Sequence, residues 1–121
     1  MSALDHRSSL GAAEQLSDGT PVSLRRVRLR DLDALSSLAA RGGIVCEEFE
    51  LARLVCSDPA ERLVMCATTA LDGTETVVGI GVIEIGRSAT MPSLILVDPA
   101  HGGSLAGWLA ESLVDRARAA A

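Results

Sequence analysis

The spacing of apolar positions changes twice along this chain, and the changes mark its elements. After the turn signal Asp18-Gly19, residues 21–28 (PVSLRRVR) set Val22, Leu24 and Val27 among polar neighbours, which predicts a strand. Asp31 stands where it can cap a helix whose apolar residues Leu32, Leu35, Leu38 and Ala39 recur at helical spacing. Gly42-Gly43 ends that helix. A second is predicted over residues 46–56 (CEEFELARLVC), with Phe49, Leu51, Leu54 and Val55 near one stripe and Ser57-Asp58-Pro59 as its stop. Beyond it β-formers dominate residues 61–70 and 74–86, joined through Leu71-Asp72-Gly73, a short Asp-Gly loop that favours an antiparallel hairpin. Residues 93–97 (SLILV) form a third short apolar strand in this half. Residues 105–121 read as a helix with Leu105, Leu109, Leu113 and Val114 buried. The predicted order is strand, helix, helix, strand, strand, strand, helix.

Composition narrows what such a chain can do. At 121 residues and 48% hydrophobic content it suits one domain with one core. That core is aliphatic, because Phe49 and Trp108 are the only aromatics and there is no tyrosine, so stacking platforms for bases are missing. A net charge of -5 and a pI near 4.9 also speak against nucleic acid as a partner. The basic side chains are all arginine, densest at Arg25, Arg26, Arg28 and Arg30, which form either a solvated strand end or an anion site. Cys46, Cys56 and Cys66 lie ten apart without a C-x-x-C pair, which fits reduced, buried thiols in the cytoplasm and no metal site. No apolar run reaches the roughly 18 residues of a membrane span. Residues 1–20 carry acids and no long apolar stretch, so they read as a flexible N-terminal tail rather than a signal peptide, with His6 exposed.

The densest candidate chemistry is His101-Gly102-Gly103-Ser104, between the last strand and the last helix. A nucleophilic serine at Ser104 would need an acid and then a histidine later in the chain, and no histidine follows it. A phosphate loop of the Walker type would need a lysine after the glycines, and the chain has none. What remains is main-chain chemistry: a Gly-rich turn opening a helix offers unpaired N–H groups at the positive end of the helix dipole, suited to a pyrophosphate. The same pattern also serves as a plain connection without a ligand.

The element order, together with VSLRRVRLRDLDAL, ELARLVCSDPAERLVMCAT, TVVGIGVIEIG and LILVDPAHGGSLAGWLAESLVDRARAA, resembles the GNAT family of acyl-CoA-dependent N-acyltransferases over residues 21–121. The resemblance implies an α+β fold, with a mixed, mostly antiparallel sheet flanked by helices. Family members carry a motif Q/R-x-x-G-x-G/A whose amides hold the coenzyme A pyrophosphate; the matching positions are His101, Gly102, Gly103, Ser104, Leu105 and Ala106. Leu105 and Ala106 fit, His101 stands where Gln or Arg is usual, and Ser104 replaces a glycine. By the same resemblance, Leu96 and Val97 pair their main chain with the pantetheine arm. The family's further C-terminal strands and the tyrosine that often protonates the departing thiolate have no counterpart in this sequence, so the expected domain is C-terminally truncated.

The implied function is transfer of an acetyl group from acetyl-CoA, as cosubstrate, to a primary amine. Glu84, the acid inside VVGIGVIEIG, is the candidate general base, and alternation puts it on the face of Ile80 and Val82. Its other place is a strand end facing water. Glu47, Glu48 and Glu50 are candidates for substrate contact in the family's geography, and equally a solvated helix face. The alternative from another class is a non-catalytic GNAT-like ligand-binding or dimerisation module. In either case the apolar strand 93–97 presents an edge through which a homodimer can form.

Overall fold

The computed structural model describes residues 14–16, 19–44, 47–71, 73–85 and 91–120. Its elements run β1 (Glu14–Gln15), β2 (Pro21–Arg26), α1 (Leu32–Arg41), α2 (Glu48–Val55), β3 (Arg62–Leu71), β4 (Thr74–Glu84), β5 (Leu94–Val97) and α3 (Gly102–Ala120). The five strands lie side by side in chain order, and all four pairings are antiparallel. This is the α+β architecture expected, without a parallel pair among the described residues.

Three details depart from the expected elements. Within the segment read as a tail, Glu14–Gln15 pairs with Val22 and Pro21, and Leu16 is buried in the core. A two-residue strand shows no periodicity, so the sequence pattern could not reveal it. His6 and Cys46 lie outside the described residues. The strand β2 stops at Arg26 because residues 29–31 tighten into a 3-10 turn that leads straight into α1. Finally, Gly102, Gly103 and Ser104 form the first turn of α3 rather than a loop before it. The reversal is already complete at residues 98–101, where Ala100 N–H donates to Asp98 Oδ1 (3.0 Å) and His101 N–H to Asp98 O (3.0 Å).

Each face of the sheet carries its own apolar layer. Leu63, Met65, Ala67, Val78 and Ile83 pack with Leu105, Leu109, Leu113 and Ala117 of α3. On the opposite face Val64, Cys66, Val77, Ile80 and Val82 pack with Leu35 and Leu38 of α1 and Leu51 of α2. A bulge re-phases β4: Ala67 faces Gly79 while Thr68 faces Val77, so Val77 and Ile80 share a face although they are three apart. Glycine lets α3 approach closely. A Cβ at Gly79 would press on Leu109 at 3.2 Å, and one at Gly81 would overlap Leu113.

Arg25 is neither a solvated strand end nor an open anion site. Its guanidinium donates to both Asp31 carboxylate oxygens (2.9 and 2.8 Å) and to both Glu75 oxygens (3.3 and 2.9 Å). The pair with Asp31 is largely shielded, with side chains 19% and 6% exposed. The Arg25 hydrogen bonds hold the Asp31 and Glu75 carboxyls below their ordinary range and push the guanidinium further up. This bridge ties β2, the turn before α1 and β4 together. Arg26, Arg28 and Arg30 remain exposed.

Candidate functional site

The pairing register of β5 decides which main-chain groups reach its outer edge. Asp98 N–H donates to Val78 O (2.8 Å) in the register that pairs Val97 with Gly79 and Leu96 with Ile80. Because antiparallel ladders alternate, Leu94 and Leu96 share that parity and spend their N–H and C=O on β4. Ile85 N–H donating to Glu61 O gives the same phase from the other side of β4. Ile95 and Val97 therefore turn their amides and carbonyls to the outer edge of β5, which no described strand covers. Of the two residues expected on this edge, Val97 offers free main-chain groups and Leu96 does not. Ile95, which sequence patterning did not single out, does; finding it requires the pairing register as well as the strand.

The edge leads into the start of α3. Gly103 and Ser104 are exposed there, and a Cβ at Gly103 would meet nothing within 4 Å, so the space beside the first turn is open. Leu105 is fully buried and anchors the turn against the sheet, Ala106 is half-buried, and His101 is half-buried on the preceding reversal. Asp98 fixes that reversal. Besides accepting from Ala100, its carboxylate receives Arg41 Nε–H at 3.0 Å on Oδ2. The Ala100 amide first, and the Arg41 cation with it, keep the Asp98 carboxyl below its usual range. The partner that completes this arrangement, Arg41, is 57 residues away in the chain.

Glu84 closes β4 at the opposite end of the edge, on the face of Ile80 and Val82. Its side chain is 54% exposed and accepts Arg62 Nε–H at 2.9 Å. The pairing of β5 with β4 stops at Leu94 and Val82, so Glu84 stands beyond it. Next to it opens a depression of about 510 Å³ lined by Glu50, Arg53, Leu54, Asp58, Arg62 and Glu84, with Ser57 and Glu61. Glu50 thus reaches the same hollow; Glu47 is exposed at the start of α2, where its amide donates to Glu50 Oε1, and the Glu48 side chain lies outside the described residues. Four carboxylates against two arginines make this depression acidic.

Among the described residues no group of three or more His, Cys, Asp or Glu could hold a metal ion. Cys56 is exposed, and Cys66 is fully buried, its thiol pushed up to about 11 by that burial. No described helix is long and apolar enough to cross a membrane.

No family model matches the sequence, and no curated protein matches it. Among solved structures, the GNAT domain of S. lividans PAT superposes with a TM-score of 0.71 at 21% identity, over 93% of this chain and 74% of that one. A mutant of a cAMP-binding acyltransferase from Mycobacterium smegmatis aligns at 0.47 and 22% identity, over 82% of this chain and 33% of that one, too loose a match to add to the first. At such identities the likeness is one of fold.

Proposed function

From the GNAT fold as premise, we propose that this chain transfers an acetyl group from acetyl-CoA to a primary amine. The observation that carries the proposal is the continuity of the β5 edge with the open first turn of α3. Val97 and Ile95 offer outward N–H and C=O groups to an amide-bearing pantetheine arm, and the amides of Gly102 to Leu105 meet its pyrophosphate. Glu84 lies six residues along β4 from Val78, which faces Asp98, so the two ends of the site are about 20 Å apart at a strand rise of roughly 3.4 Å. An extended pantetheine arm has a reach of that order. In this arrangement the amine nitrogen attacks the thioester carbonyl, the C–N bond forms as the C–S bond breaks, and the thiolate leaves. Glu84 takes the proton that the amine sheds. The acidic depression beside it supplies the acceptor side and favours a cationic amine over an anionic one.

Isothermal titration of acetyl-CoA into the purified chain tests this, with Ser104→Gly and Gly102→Asp alongside. Saturable binding that Ser104→Gly strengthens and Gly102→Asp abolishes is the expected result. No heat from a folded chain rejects it.

One observation favours the second reading, a non-catalytic ligand-binding or dimerisation module. Glu84 is already ion-paired with Arg62 at 2.9 Å and open to water, so its carboxylate is engaged before any amine arrives. On this reading the edge of β5 takes the same strand of a second copy, and a homodimer replaces the cofactor. Sedimentation at tens of micromolar separates the two: a dimer that acetyl-CoA leaves intact supports the module, whereas a monomer, or a dimer that acetyl-CoA dissociates, supports an edge that takes the pantetheine arm.

A further inference from the structure

Asp98 poses an electrostatic problem for the proposed site. A carboxylate stands four residues ahead of Gly102, beside the helix start assigned to a pyrophosphate. Both its oxygens are committed, one to Ala100 N–H and the other to Arg41 Nε–H, each at 3.0 Å. Oδ1 builds the reversal that delivers the chain into α3, and an asparagine oxygen could do that equally well. Oδ2 is not needed for the turn. It is held by a cation from α1, an element that otherwise meets β5 through Gly42, where an added Cβ would lie 2.9 Å from Leu96 Cδ1.

We infer that Arg41 is a positioning and charge-balancing residue of the anion site: it cancels the Asp98 charge that would otherwise repel the pyrophosphate. The inference rests on acetyl-CoA binding at this turn. Arg41 need not touch the ligand, since its effect passes through Asp98. The Asp98 side chain is 18% exposed and that of Arg41 42%, so the pair is only partly screened and its field reaches the adjacent turn.

Signs distinguish this from a structural role. Arg41→Met leaves Asp98 uncompensated and weakens acetyl-CoA binding about two- to five-fold, the range of single charges at helix ends. Asp98→Asn keeps the turn acceptor, frees the Arg41 cation and tightens binding by a similar factor. The double variant returns close to wild type, and the spread among the four proteins shrinks in high salt. Titration calorimetry at low and high salt reads all of this, with thermal unfolding to verify each fold; should Arg41→Met not fold, the sign of Asp98→Asn decides, with Arg41→Lys expected to bind as wild type does. Wild-type binding with Asp98→Asn unchanged or weaker overturns the inference alone. No binding by folded wild type overturns it together with the function proposed above.

Discussion

Gly81 is the point at which one methyl group matters most. The missing side chain is replaced in the packing by Leu113, itself fully buried, so Gly81→Ala must displace Leu113 Cδ1 within a filled core. We expect a loss of about 1–3 kcal/mol, read as a fall in Tm. Gly103→Ala, where the added Cβ meets open space, serves as the control and changes stability little. Asp31 makes a pH-dependent contribution. Its folded pKa is depressed by Arg25, so its stabilisation is present above the unfolded value of about 4 and is lost as pH falls through the folded one. Asp31→Asn therefore costs about 2 kcal/mol at neutral pH, with Arg25 still held by Glu75, and the gap to wild type narrows in acid denaturation below pH ~4. The two described thiols should differ as sharply. In a Cys46→Ser background, Cys56 reacts with a disulfide reagent at neutral pH, while Cys66, fully buried and shifted to about 11, reacts only after unfolding.

Legibility at the scale of elements followed the strength of the pattern. Helix α1, the β3–β4 hairpin, β5 and the buried stripe Leu105, Leu109 and Leu113 were all readable, because apolar spacing reports which face is buried. What escaped needed a partner from elsewhere in the chain. Arg25 looked solvated because its partners Asp31 and Glu75 are six and 50 residues away. The glycines of α3 looked like a loop because glycine signals a break, whereas Asp98 had already made the turn. On β5, the face of each side chain could be predicted, but not the direction of each amide, which the register with β4 alone decides. That register has a testable consequence. Leu96→Pro removes an N–H that β4 uses and should cost about 1–3 kcal/mol more than Val97→Pro, whose N–H points outward. Val97→Pro should instead weaken acetyl-CoA binding while leaving a folded protein, as parallel unfolding and titration experiments would read.

Across the whole molecule, strand order in the sheet repeats strand order in the chain. Each strand therefore pairs with the one made just before it, apart from the helical excursion between β2 and β3. Such a sheet has a natural growth point in the β3–β4 hairpin, whose loop is the shortest, and it needs little long-range search to enlarge. β2 joins on one side and β5 with α3 on the other, as separate additions to a pair already formed. The uncovered edge thus belongs to an outer unit of the sheet, held to the rest by four β5 residues and the glycine-lined contact of α3 with β4. Amide hydrogens of β5 and the start of α3 should exchange faster than those of β3 and β4, and acetyl-CoA should slow the first group while hardly changing the second. The cofactor would then do more than occupy a finished pocket: by holding the outermost strand, it would complete the final stage of folding.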